Sequence, residues 1–370
     1  MLRIGIDARP LHWPGIGRHI KELLRHLCLI DAENEYFIYF SSQQYLEENR
    51  VSKGNFHEIL LPAKVYSISE QVHLPLRIAR DRLDIFHCPS SLVVPLVHPC
   101  KLVVTVHDIM LKAHPEFIPS RTASVYFDIM NWRALSSAKK LITVSGFTRD
   151  EILSHYPKYR EKITVIHNGV HERFRPVQDI NEIERVKRAL GASGGYVLYL
   201  GTYKKHKNLT VLIKAYANLP QSIRAKYQLL IAGKRDQRYP EVPDMVRALG
   251  IGQYVIYADS VCDEDLPALY SGASCFVLPS VYEGFGLPLI EAMACGTPAV
   301  ASRIPVFEEI AGDAAAFASP HDSREMSSAI LKVLNEKEYG ATLRSKGLLR
   351  TERFSWLHAA KKVKEVYESI

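Results

Sequence analysis

Short runs of β-branched and aromatic residues alternate with longer amphipathic stretches from one end of the chain to the other, and few folds accept that pattern. A short apolar run of this kind is a strand buried on both faces, and the helix-length stretch after it covers one of them. Repeated along a chain, this unit builds a parallel sheet clothed in helices. In a first series the expected strands include Arg3–Ile6, Tyr36–Phe40, Ile85–His87, Leu102–Thr105, Leu141–Val144 and Ile163–Ile166. Helical spacing runs over Gly17–Leu27, Gln71–Arg82, Ser120–Ser136 and Thr148–His155, and Thr148-Arg-Asp-Glu151 has the form of a capping box.

A second series follows Phe174-Arg-Pro-Val, where polar residues 178–184 read as a linker leading into a helix before Gly191. Its expected strands are Tyr196–Leu200, Tyr227–Ala232, Val255–Tyr257, Ser274–Leu278 and Ala299–Ser302. With 370 residues the chain has the length of two domains. The expected fold class is therefore α/β, with two Rossmann-like doubly wound domains facing each other across a central cleft. The last segment, from Phe354 to Tyr367, reads as one amphipathic helix.

Composition narrows the class of partner. The charge of +7 comes without any Lys/Arg block of the kind that marks a nucleic-acid tail, so no nucleic-acid partner is expected. The balance fits a phosphorylated ligand or an anionic membrane surface. Cys28, Cys88, Cys100, Cys262, Cys275 and Cys295 are scattered, with no metal-ligand spacing, and read as small apolar residues in a reducing compartment. The N-terminus opens as a strand and no apolar run has the length of a membrane span, so the expected location is cytoplasmic and any membrane contact peripheral. Leu74-Pro-Leu-Arg-Ile-Ala-Arg-Asp-Arg-Leu83 mixes leucines with arginines as an interfacial segment does, and also as an ordinary surface helix does.

The stretch Ser280-Val-Tyr-Glu-Gly-Phe-Gly-Leu-Pro-Leu-Ile-Glu-Ala-Met-Ala-Cys-Gly-Thr-Pro298 carries two acids, Glu283 and Glu291. At roughly 6% Glu, chance alone supplies about one pair at any chosen spacing, so the surroundings must decide. Residues 279–287 read as a loop and Pro288–Cys295 as a helix, with Pro288 at its first position and Gly296 at its C-terminal cap. Both acids then lie at the carboxyl end of a strand, where α/β sheets bind ligands. The expected N-cap, Leu287, has no side-chain oxygen, which leaves the first amides and those of Gly284 and Gly286 open to a phosphate. Two solvated acids, or a Glu291 that merely complements the helix dipole, fit the spacing equally well.

Three other stretches have chemical potential. Pro14-Gly-Ile-Gly-Arg-His19 follows the first strand but lacks the third glycine of a dinucleotide fingerprint, so it is an anion-approach loop or a tight turn. Leu200-Gly-Thr-Tyr-Lys-Lys-His-Lys-Asn208 gathers basic side chains at a strand end, suited to a leaving phosphate or to plain solvation. Val104-Thr-Val-His-Asp-Ile109 ends a strand in His107, which is structural as often as functional. Asp263-Glu-Asp265 precedes Leu266–Tyr270 and reads as an N-cap with an acidic first turn rather than a metal site.

The ordered set Gly15-Ile-Gly-Arg18, Val106-His-Asp108, Val144–Arg149, His167-Asn-Gly-Val170, Gly201-Thr202 with Lys207-Asn208, and Glu283-Gly-Phe-Gly-Leu-Pro-Leu-Ile-Glu291 resembles the retaining glycosyltransferases of the GT4 family, which have the two-domain GT-B fold. The last stretch matches that family's E-x7-E signature. The resemblance implies an acceptor-side domain over 1–174, a nucleotide-sugar domain over 175–353, and a helix over 354–370 that crosses back to the first domain. It implies a nucleoside diphosphate sugar as donor, with a lean to GDP-mannose, and a saccharide or lipid-linked saccharide as acceptor in cell-envelope glycan synthesis. Retention without a metal or other cofactor is implied as well.

Carried over by position, Glu291 holds the ribose hydroxyls, Glu283 the donor sugar and Lys207 the diphosphate. Thr202, Gly284, Phe285, Gly286 and Leu287 lie near the sugar and phosphates, the Gly15–Gly17 loop closes on the diphosphate, and His107 lies near the reacting face of the sugar. His206 stands where close relatives often have Arg, so a shared diphosphate charge would depend on its protonation. A sugar-nucleotide epimerase of the same fold, a nicotinamide dehydrogenase and a non-enzymatic nucleotide-binding protein are the competing readings.

Overall fold

Strands form where the β-branched runs are, and their order in the sheet, which no run reveals, sets where a ligand can sit. The computed structural model describes residues 1–51, 53–117, 121–236 and 238–370. The chain divides into two compact units, one of Met1–Gly169 with Ser355–Ile370 and one of Val170–Phe354.

In the first unit β1 (Arg3–Asp7), β2 (Glu35–Phe40), β3 (Phe56–Leu60), β4 (Ile85–Cys88), β5 (Lys101–Val106), β6 (Lys140–Thr143) and β7 (Ile163–Val165) pair in parallel in the order β3-β2-β1-β4-β5-β6-β7. Most of the sheet interior is apolar: Ile4, Ile6, Phe86, Val104 and Leu141 are fully buried, as strands covered on both faces must be. The second unit has β8 (Gly195–Leu200), β9 (Tyr227–Ala232), β10 (Val255–Ala258), β11 (Cys275–Leu278), β12 (Ala299–Ser302) and β13 (Ala315–Ala318) in the order β10-β9-β8-β11-β12-β13, also parallel. Each sheet is thus doubly wound, reversing its order once, between β1 and β4 and between β8 and β11.

Two edge strands are absent from the sequence-based set. In β3, Phe-His-Glu-Ile-Leu, His57 and Leu60 are exposed at the sheet edge, so the run is too polar to announce itself. In β13, Ala-Ala-Phe-Ala has no β-branched residue at all.

Three local expectations need correction. The helix Gly146–His155 starts before the expected capping box: Ser145 is extended and its Oγ accepts from the Thr148 amide at 3.0 Å, which places Thr148 inside the first turn. Residues 180–184 of the expected linker belong to the helix Ile180–Ala189, which Asp179 caps through the Asn181 amide. Asp265 occupies the N-cap of Leu266–Ser271 without a capping bond, because its carboxylate is drawn to Arg185 at 2.5 Å.

The helix expected over 120–136 spans Arg121–Ser137, and Ser120 lies outside the described residues. The final helix, Trp356–Glu368, packs in the first unit against Ile16–Ile30. Its Tyr367 hydroxyl reaches His87 Nδ1 at 2.6 Å, fixing it to the sheet. No helix of the described residues is long and apolar enough to cross a membrane.

Candidate active site

The reversal between β8 and β11 makes neighbours of the loops that leave their carboxyl ends, residues 201–208 and 279–286. In open α/β sheets this is where a crevice forms for a ligand. Here the two loops are fastened together. The Val281 amide donates to the His206 carbonyl at 2.8 Å, and Asn208 Nδ2 donates to Pro279 O at 3.0 Å and to Pro320 O at 2.7 Å. Asn208 makes these bonds from a left-handed backbone, φ 57°, a conformation a short polar side chain tolerates.

Across this joint Lys207 Nζ donates to Glu283 Oε1 at 2.5 Å, and Ser280 Oγ donates to the same oxygen at 2.9 Å. Burial alone would raise the Glu283 carboxyl. The charges of Lys207 and His206, with the two hydrogen bonds, outweigh it and hold the group below the usual carboxylate range. Glu283 is therefore ionised at neutral pH and Lys207 is held in place as its counter-ion, with side chains only 13% and 18% exposed.

The helix Leu287–Ala294 starts one residue earlier than its proline suggests, with Gly286 as N-cap. Gly286 has φ 95°, and a Cβ there would sit 2.6 Å from the Phe307 ring, so the position admits glycine alone. No side chain caps this end, where Gly286 stands in the role expected of Leu287; the Leu289 amide turns back to the Gly286 carbonyl at 2.9 Å, and Pro288 has no N–H. At the far end the amides of Gly296 and Thr297 donate to Met293 O and Ala292 O, each at 3.0 Å, a Schellman closure. Glu291 falls in the second turn. It is 2% exposed, and Tyr270 OH donates to its Oε2 at 3.1 Å.

Gly15, Gly17 and His107 belong to the first unit. Gly15 is the uncapped N-cap of Ile16–Ile30, with φ 79°, and a Cβ on Gly17, which is buried, would lie 1.9 Å from the Leu11 carbonyl oxygen, so the tight turn admits no side chain there. His107 ends β5 and lines a hollow with Ile16, Ser91, Asp108 and Asn131. Its Nε2 donates to Pro89 O at 2.9 Å, which fixes the tautomer and leaves Nδ1 as an acceptor. Burial pushes His107 down to about 4, against the hydrogen bond to Pro89 and with help from His87, so it is neutral in ordinary conditions. His19 meets it edge-on, with ring centres 4.9 Å apart, and is likewise pushed down by burial to about 3.

The structure thus brings Thr202, His206, Lys207, Glu283, Gly284, Phe285, Gly286 and Leu287 to one sheet end, with Glu291 on the helix leaving it. Ser280, Asn208 and Tyr270 are the residues that sequence reasoning left without a role. Ser280 stood three residues before Glu283, a readable signal; Tyr270, from another helix, gave none.

A family profile described as "Glycosyl transferases group 1" matches residues 181–349, and one described as "Glycosyltransferase Family 4" matches residues 13–174. The chain is 31% identical to the O-antigen chain mannosyltransferase B of Escherichia coli, with 96% of each protein covered. It is 32% identical to the O-antigen chain mannosyltransferase RfbU of Salmonella typhimurium over 66% of this chain and 64% of that protein. Among solved structures, Anabaena HepE in complex with UDP-glucose is similar over the full length of both chains, with a TM-score of 0.82 at 17% identity.

Proposed function

The chain belongs to the group 1, family 4 glycosyltransferases and has their GT-B fold, and on that premise we propose that it transfers mannose from GDP-mannose to a saccharide or lipid-linked saccharide, with retention and without a metal. The observation that carries this reading is the fastened pair of loops, with an ionised Glu283 holding Lys207 beside an uncapped helix N-terminus. The mannosyltransferase names of the two relatives support the choice of sugar.

The chemistry follows from where charge develops. Breaking the anomeric carbon–oxygen bond leaves an oxocarbenium-like sugar and a diphosphate that gains negative charge. Lys207, with more donors than Glu283 uses, and the uncapped N-terminal end of the helix Leu287–Ala294 oppose that charge with groups already in position. His206 adds to them when protonated. Glu291 orders the ribose hydroxyls and is itself oriented by Tyr270.

Glu283 positions the donor sugar and keeps Lys207 aimed; in this reading it is no classical base. The leaving phosphate takes the proton of the attacking hydroxyl on the same face. Within the first unit His107 keeps Nδ1 as an acceptor for a hydroxyl of a bound saccharide.

The test is transfer of radiolabelled mannose from GDP-mannose to a mannose-terminated acceptor in the presence of EDTA, with the anomeric configuration of the product read by NMR. Transfer with the donor's configuration is expected. An inverted product sinks retention, loss of transfer with EDTA sinks metal independence, and no transfer from GDP-mannose where another sugar nucleotide serves sinks the donor.

A further inference from the structure

At the carboxyl end of β1, beside the reversal of the first sheet, the chain buries three charged side chains. Asp7 and Arg9 are fully buried and Glu70 is 2% exposed. Arg9 Nε donates to Asp7 Oδ1 at 2.8 Å, and its Nη2 donates to Asp7 Oδ2 and to Glu70 Oε1, each at 2.7 Å. Glu70 is carried by the helix Ile68–Arg80, whose Leu74 and Ile78 pack in the core. Buried charges of this kind are costly to desolvate and add little net stability, so their value lies in what they fix.

What they fix is Tyr66. The second oxygen of Glu70 accepts from the Tyr66 amide at 2.8 Å, and Tyr66 has φ 67°, a left-handed backbone in which a bulky side chain is strained. Strain of this sort persists only where the surrounding structure enforces it, and it gathers at binding sites. Here the enforcing groups are inside the protein and the enforced side chain is outside. Tyr66 is 48% exposed, whereas Tyr36, Tyr39 and Phe86 of the neighbouring sheet are fully buried.

The Tyr66 ring belongs to a set drawn from distant parts of the first unit. It stacks on Trp13 with ring centres 5.6 Å apart and planes 16° apart, and it meets Tyr126 of the helix Arg121–Ser137 edge-on at 5.9 Å. Trp13 packs on the core, and Tyr126 is 39% exposed. The three rings form one aromatic surface open to solvent.

Two elements lead from this surface to the hollow beside His107. Ile16, three residues after Trp13, lines the hollow, and so does Asn131, which follows Tyr126 by about 7.5 Å along the helix axis. The hollow is polar where the rings are apolar. Asn131 Oδ1 accepts from Ser91 Oγ at 2.8 Å, which leaves the Asn131 amide hydrogens for a ligand, and His107 keeps Nδ1 as an acceptor. A ligand that spans both regions offers hydroxyls at one end and an apolar face at the other. Saccharides have this build: the C–H groups on a pyranose face carry slight positive charge, which the negative face of an aromatic ring attracts, and the hydroxyls stand at the edge.

We propose that Trp13, Tyr66 and Tyr126 are a platform for the sugars of an oligosaccharide whose end lies in the hollow beside His107, and that Glu70 is the residue that positions the platform. The choice of a mannose-containing saccharide rests on the proposed function, whereas binding on the platform needs no transfer.

Titration calorimetry of the full chain with mannose and with mannotetraose, in the absence of any sugar nucleotide, tests it. The tetrasaccharide is expected to bind about tenfold or more tighter than mannose, and Tyr66→Asn combined with Tyr126→Ser is expected to abolish that preference. Asparagine tolerates the left-handed backbone and both replaced side chains are exposed, so the thermal midpoint of the double variant should hold. Tyr66→Phe keeps the ring and should keep the preference, as should the control Leu29→Ser, an exposed position elsewhere in the unit. A chain that binds mannotetraose no more tightly than mannose overturns the proposal, and so does a double variant that retains the preference. Absence of mannose transfer beside a ring-dependent preference strikes the proposed function only; transfer to mannotetraose with the same KM in the double variant strikes the platform only.

Discussion

Lys207 and Glu283 form a partly buried pair in which the lysine helps to hold the Glu283 carboxyl below its usual range. In the proposed role Lys207 makes a charge-assisted contact to the diphosphate, worth about 1.5 to 3 kcal/mol, so Lys207→Met should weaken binding of a nucleoside diphosphate roughly tenfold to a hundredfold, as titration calorimetry would read. Glu291→Gln keeps an oxygen for Tyr270 and the volume of the side chain but loses the carboxylate that the proposed function assigns to the ribose. It should lower donor affinity by a similar factor with little change in unliganded stability.

His206 makes a separate prediction. If its imidazolium shares the diphosphate charge, kcat/KM falls as pH rises, and His206→Arg removes that fall; an identical profile in the variant assigns the charge to Lys204 or Lys205 instead. At this scale the acids, the lysine and the histidines were legible because their positions match a family pattern. What they do to one another was not, since Ser280, Lys207 and Glu283 meet only once two loops are brought side by side.

The element that defines the site is the helix Leu287–Ala294 with the turn before it. Its start depends on Gly286, whose left-handed backbone and contact with Phe307 exclude a side chain. Gly286→Ala is expected to cost about 1 to 3 kcal/mol, seen as a lower denaturation midpoint, and to misplace the amides at positions 284–287, so that affinity for a diphosphate falls as well. Unchanged stability and affinity would show that the turn relaxes freely.

Pro288 and Gly296 revealed this helix in the sequence, to within a residue at each end. The reason that the helix faces loop 201–208 lay elsewhere, in the order β10-β9-β8-β11. Strand order is a tertiary property, and the apolar runs that predict β8 and β11 say nothing of their adjacency. The missed edge strands β3 and β13 make the complementary point: where packing on both faces is relaxed, the sequence loses the pattern that packing imposes.

For the whole molecule, alternation of apolar and amphipathic segments was enough to give two parallel α/β units, and it gave no sign of which histidines of the first unit are buried. His19, His87 and His107 are buried in the first unit, pushed by burial to about 3, 3 and 4 from an ordinary 6.5. A histidine depressed in the folded state binds its proton more readily when unfolded, so stability rises with pH across the window from about 3 to 6.5 and is lost as pH falls through it. Thermal midpoints should therefore drop steeply below pH 6.5, and His87→Gln should flatten that slope; a flat profile in the unsubstituted chain would contradict the burial of these rings.

The central claim is that the second unit's fastened loops and uncapped helix hold a guanosine diphosphate sugar. Thermal-shift titration of the chain and of Lys207→Met and Glu291→Gln with GDP-mannose, UDP-glucose and ADP-glucose tests it most directly, because a ligand bound only by the native state raises the midpoint with concentration. The largest rise is expected with GDP-mannose, with its near disappearance in both variants. A rise of equal size in both variants, or one confined to a different sugar nucleotide, would contradict it.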